Sequence, residues 1–156
     1  LAGELDLTLG GPSIPVNNEA SRRRSLYFVH SHNEHHKFLS MFDDANVLEC
    51  YRRAESIVPQ QALALENSPL ATTMAEKIAQ RLAGANPTAS DQDFIRAVFL
   101  TVLSVEPTES ELAVAVNAIS QLTAAAKLKN RPNPETHART NLIHALLNHN
   151  DFVTIR

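Results

Sequence analysis

Between residues 68 and 122 the apolar residues recur at helical spacing, and each run is opened by a residue that caps helices. Ser68 precedes Pro69, which suits a first helical turn because the N–H it lacks has no partner there. Leu70, Met74, Ile78 and Leu82 then repeat every four residues, and Gly84 reads as the end of that helix. Ser90 opens a second run, in which Phe94, Ile95, Val98, Phe99 and Val102 form a broad apolar stripe. Pro107 reads as its breaker, and Thr108-Glu109-Ser110-Glu111 is a capping box that starts a third helix. Leu112, Val116, Ile119 and Leu122 share the inner face of this helix. Such spacing does not fit a sheet, where alternate residues share a face. The segment commits the chain to packing helices against one another.

The rest of the chain is read around that centre. A length of 156 residues fits a single domain, residues 1–156, able to bury about 70% of its unfolded surface. With 44% hydrophobic residues, 5% aromatic residues and no Trp, its core must come from Leu, Ile, Val and Ala. The expected fold is all-α, with five or six helices, an irregular N-terminal arm and at most a minor strand. Residues 1–21 make the arm, because Gly3, Gly10, Gly11, Pro12 and Pro15 interrupt any periodicity. Residues 25–29 (SLYFV) fit a short strand or a buried helical turn. Residues 34–42 predict a helix with Phe38, Leu39 and Phe42 on one face, and Pro59 starts another that carries Leu63 and Leu65. Residues 128–134 (LKNRPNP) form a flexible loop. Asn133 and Pro134 open the last helix, with Ala138, Leu142, Ala145, Leu146 and His149 on one side. Asn150 and Asp151 close it, and the tail at residues 152–155 docks back. The two helices around Pro107 form an antiparallel hairpin.

Several function classes are set aside by composition. The net charge of −3 gives no general affinity for nucleic acid, and Glu106, Glu109 and Glu111 make the hairpin turn acidic where a phosphate-facing element would be basic. Arg22, Arg23 and Arg24, like Arg52 and Arg53, read as solvated or locally paired. No apolar run approaches the ~20 residues of a membrane span. Cys50 is the only cysteine, so the chain has no internal disulfide, no CxxC half-site and no CxxCH for covalent haem. No cofactor is predicted, and the isolated protein is expected to be colourless. Phosphate-cradling glycine motifs and a G-x-S-x-G elbow are also missing.

Four of the seven histidines are His30, His32, His35 and His36. His32 and His36 are the candidate metal pair, since i,i+4 spacing places two imidazoles on one helix face. Glu34, Asp43, Asp44, Glu49 or Cys50 would complete such a site. HNEHH is not HExxH, however, and the H-x-E at His32–Glu34 has no PCxxC partner. His137 and His144 are ~10 Å apart along a helix axis, too far to share an ion, and read as surface residues. His149 falls on the apolar side as a partly buried histidine. Cys50, beside Arg52 and Arg53, is a formal nucleophile candidate, because nearby cations favour the thiolate.

Residues 49–68 (ECYRRAESIVPQQALALENS) carry the most specific pattern, joined by LGGPSIP at 9–15, RRSLYF at 23–28, FDDAN at 42–46 and HALLNHNDFVTIR at 144–156. Together these blocks resemble a planctomycete-type domain of unknown function that closes large exported proteins bearing cytochrome-c-like domains. The resemblance implies a C-terminal piece of a longer protein, an exported or cell-envelope location, and the other domains of its own parent as partners; the ligand is open. By itself the signature fits a polar lock. Glu49 and Arg53 are i,i+4 in the favourable order, with Arg52 and Glu55 beside them, and Gln60 and Gln61 satisfy backbone groups at the helix entry after Pro59. Used functionally, the Arg and Gln pairs would suit an acidic or carbohydrate-like ligand. The expected function is a structural or interaction module of that larger protein. The alternative is a metal-dependent or carbohydrate-active enzyme domain using the His30–His36 cluster.

Overall fold

In a computed structural model, which describes residues 1–31, 33–42 and 58–153, the regular structure is helical throughout. Six α-helices follow two short 3-10 turns, Ser25–Tyr27 and Leu39–Phe42. They are α1 (Val58–Glu66), α2 (Pro69–Ala85), α3 (Asp91–Leu103), α4 (Glu109–Leu128), α5 (Pro134–Leu147) and α6 (Asn150–Val153). Strand pairing among the described residues is limited to isolated bridges, Asp6 with Arg23, Ile14 with Phe28 and Ser31 with Glu34. The all-α expectation therefore holds, and residues 25–29 supply a 3-10 turn followed by one bridge residue in place of a strand.

The helix starts follow the caps. Ser68 Oγ accepts the Ala71 N–H, and Ser90 Oγ accepts the Asp93 N–H. At α4 the capping box closes from both sides. Thr108 Oγ1 accepts the Glu111 N–H at 3.3 Å, while the Thr108 N–H donates to Glu111 Oε2 at 2.7 Å. The helix ends depart from the sequence reading. Gly84 lies inside α2, which runs on to Ala85 and stops where Asn86 returns its N–H to Leu82 and Pro87 follows. α3 ends at Leu103 because Ser104 turns left-handed, φ 60°, three residues before Pro107. The helix predicted over residues 34–42 shrinks to Leu39–Phe42. Glu34 is held by its bridge to Ser31, and His36 Nδ1 accepts the Leu39 N–H at 3.4 Å, so the turn starts there.

The described residues gather into two compact units, Leu1–Ala2 with Leu65–Arg156, and Gly3–Ala64. In the first, α5 packs against α4, α2, α3 and α6. Its buried residues, Ala138, Thr140, Leu142, Ile143, Leu146 and Leu147, surround most of the helix, as expected of one enclosed by neighbours. α3 contributes all five residues of its predicted stripe. α2 turns mainly small residues inward, with Ala71, Ala75, Ile78 and Ala79 buried and Leu70 exposed. α5 also corrects the expected stripe. It stops at Leu147, where Asn148 returns its N–H to Ala145, so helical spacing never reaches His149; that residue and Ala145 are exposed. Asn150 begins α6 instead of closing α5. Between α4 and α5, Asn130 and Asn133 take left-handed φ values of 50° and 49°.

The capping box makes a pH-dependent contribution. Hydrogen bonds from the Thr108 hydroxyl, then from its N–H, hold the Glu111 carboxyl below its ordinary value of 4.5. A carboxylate with a lowered folded pKa stabilises the fold above its unfolded pKa, and that stabilisation is lost as pH falls through the folded pKa. Thr108→Ala is expected to cost about 1 kcal/mol at neutral pH, whereas Thr108→Ser keeps most of the stability. Urea unfolding should show the gap between wild type and Thr108→Ala narrowing below the ordinary glutamate range. A gap that stays constant into strong acid would show that Glu111 takes no part.

Candidate functional site

Within Gly3–Ala64, two of the recognisable sequence blocks are joined by one side chain. The arm runs parallel to residues 22–29: the Asp6 N–H donates to the Arg22 carbonyl, the Ile14 N–H to the Tyr27 carbonyl, and the Val29 N–H to the Ile14 carbonyl. Between these points Arg23 Nη2 donates to the carbonyls of Thr8 (3.0 Å) and Gly10. The guanidinium carbon lies 3.7 Å from the centre of the Tyr27 ring, and the Tyr27 hydroxyl accepts the Gly10 N–H at 3.3 Å. Gly10 and Gly11 have φ values of 73° and 89°, a left-handed backbone that glycine adopts without strain, at the point where the arm bends beside Arg23. A planar guanidinium can bond in its plane and stack through its face at once, which an ammonium cannot. Asp6 is held below the usual carboxylate range, first by the Thr8 hydroxyl and N–H, then by Arg23.

In the helical unit a cleft of about 520 Å³ opens among the start of α3, the second half of α4 and the first turns of α5. α4 lines it with Ile119, Ser120, Thr123 and Lys127, and α5 adds Glu135 and Arg139. Arg139 Nη2 donates to Asp91 Oδ1 at 2.8 Å, and its guanidinium carbon sits 4.6 Å from the Phe94 ring centre. Arg139 Nε is buried with no hydrogen-bond partner among the described residues. The Asp91 side chain is about half exposed, so the pair contributes under ~1 kcal/mol. The lining joins two acids, two bases and two hydroxyls without a histidine or cysteine. It offers polar contacts, with no nucleophile–base pair among its described residues.

The predicted site residues are placed unevenly. His32, Asp43, Asp44, Glu49, Cys50, Arg52, Arg53 and Glu55 lie outside the described residues. His36 is half-buried, its ring 4.7 Å from that of Phe28 and its Nδ1 facing the Leu39 N–H. Gln60 is exposed on α1 and Gln61 is half-buried. His137 and His144, read as surface residues, are both half-buried. His137 Nε2 lies 3.4 Å from Arg131 Nη1, and His144 Nε2 lies 3.4 Å from the Leu65 carbonyl. Among the described residues no three His, Cys, Asp or Glu side chains are grouped to hold a metal ion, and no helix is long and apolar enough to cross a membrane.

Arg139 escaped the sequence reading, and Arg23 was read only as solvated or locally paired, without its partners. For Arg23 a usable signal existed, since an aromatic residue four positions on and a Gly-Gly pair upstream allow an arginine to stack and gather carbonyls. For Arg139 the chain offered none.

Residues 1–119 match the model of the family PSD1, described as "Protein of unknown function (DUF1553)". No curated protein and no solved structure matches the chain.

Proposed function

The chain belongs to the PSD1 family (DUF1553), and from that premise we propose that it is a non-catalytic helical module, serving a larger exported, cytochrome-c-associated protein through structural and interaction contacts. One observation carries this reading. Two polar residues of the recognisable blocks are engaged with their own backbone: Arg23 with the Thr8 and Gly10 carbonyls, and Tyr27 with the Gly10 N–H. Side chains engaged in this way organise a surface and leave little for a substrate. On this reading the partners are other domains of the parent, and the location is that of the exported parent.

Mixing the purified chain with the remainder of its parent tests the proposal. Association at tens of micromolar, without turnover of carbohydrate or ester substrates by the chain alone, is the expected result. No association, together with turnover by the isolated chain, would replace it with an enzymatic function.

A further inference from the structure

The cleft of the helical unit collects polar groups that the fold leaves unpaired. α4 supplies Ser120, Thr123 and Lys127, positions i, i+3 and i+7 on one helix face, and α5 supplies Glu135 and Arg139, four residues apart on another. The Lys127 ammonium, the Glu135 carboxylate and the hydroxyls of Ser120 and Thr123 form no hydrogen bond or ion pair with any described residue. Arg139 is different. Asp91 and the Phe94 ring hold its guanidinium in place, while its Nη1 has no partner among the described residues. A cation and an anion thus line one cleft without pairing with each other. Buried Ile119, with Ala89 and Ala124, makes up the apolar part of the wall.

We propose that this cleft binds a small zwitterion, an amino acid or short peptide whose carboxylate meets Lys127 and Arg139 while its ammonium meets Glu135. The site is independent of the module reading. Its volume of about 520 Å³ lies within the ~300–1,000 Å³ of small-molecule sites. Charge selects the class of ligand. Lys127 and Arg139 are balanced by Asp91 and Glu135, so a multiply charged anion or cation meets as many like charges as opposite ones. No three His, Cys, Asp or Glu side chains among the described residues are grouped to hold a metal ion. A neutral sugar would bond the hydroxyls and leave Lys127 and Glu135 without counter-charges. A molecule carrying both signs gains a charge-assisted hydrogen bond at each end. The Ser120 and Thr123 hydroxyls then remain for its amide or carboxylate, and the two alanines leave room for a short apolar side chain.

Titrating the full chain with L-alanyl-L-alanine, followed through amide chemical shifts, tests this. Saturable shifts at residues 119–127 and 135–139 are expected, with a Kd of about 1 mM, ordinary for so small a ligand. N-acetyl-L-alanyl-L-alanine, without the ammonium, and L-alanyl-L-alaninamide, without the carboxylate, should each bind at least ~10-fold more weakly. Lys127→Met and Glu135→Gln should each weaken the dipeptide at least ~10-fold and keep the urea midpoint, since both residues are exposed. Lys129→Met, outside the lining, should change neither. Free L-alanine, titrated alongside, shows which span between charges the cleft prefers; saturable binding of either compound that needs both charges supports the site. No saturable shift from either, equal binding of the capped forms, or wild-type affinity in either variant would overturn the proposal. Binding of the acetylated form as tightly as the dipeptide would mark an anion site and overturn it as well.

Discussion

Ile143→Ala is expected to lower the unfolding free energy of the helical unit by about 3–4 kcal/mol, the largest effect of any single truncation considered. Ile143 is 0% exposed and lies on α5, the helix that meets α2, α3, α4 and α6. Removing three carbons there forfeits the transfer free energy of those atoms and leaves a cavity walled by several elements. Such a wall collapses less readily than one that faces a single neighbour. Against a total domain stability of roughly 5–15 kcal/mol, the loss is a large fraction. Val114→Ala on the outer face of α4, where the residue is 70% exposed, should change stability by under ~0.5 kcal/mol. Paired urea titrations check both. Equal midpoints for Ile143→Ala and wild type would mean that α5 is not the centre of the unit.

The second large effect is expected at Arg23. Its loss removes two charge-assisted hydrogen bonds to carbonyls and the stack on Tyr27. Hydrogen bonds from charged donors contribute about 1.5–3 kcal/mol each when buried, so for this half-buried group about 2 kcal/mol of local stability is expected to be lost with Arg23→Ala. That predicts amide exchange roughly 30-fold faster at Asp6, Gly10 and Ile14, with the urea midpoint of the helical unit unchanged. Arg23→Lys should restore less than half, since an ammonium cannot stack on Tyr27 and bond both carbonyls together. Unaltered exchange in Arg23→Ala would show that the backbone bonds at Asp6 and Ile14 hold the arm without it.

Helices that begin at a side-chain cap were legible in the sequence, because the cap and the first turn are local. Ser68, Ser90 and Thr108 each occupy the expected position. Helix ends were less legible. Ser104 takes a left-handed φ that glycine usually supplies, so nothing in its identity announced the stop. The four-residue repeat showed the inner face of α2 only in part, because it follows the large residues. Ile78 is buried and Leu82 packs against the core, but Leu70 is exposed and Ala71, Ala75 and Ala79 complete the inner face. The Arg23 clamp depends on contacts across 13 and 15 residues of chain, beyond any local pattern. The His36 prediction assumed an early helix start, and the tilted ring contact of His36 with Phe28 accompanies a later one.

The short link between α4 and α5 bears on the order in which the bundle can assemble. Residues 129–133 join that pair, whereas α2 reaches α5 only across residues 86–133. For a flexible chain, closing the longer loop costs about 2 kcal/mol more in conformational entropy. The hairpin of α4 and α5 can therefore form on local contacts, while the alanine face of α2 gains its burial only after the more expensive closure has been made. Chain connectivity thus places the α2–α5 seam after the α4–α5 hairpin in the assembly of the bundle.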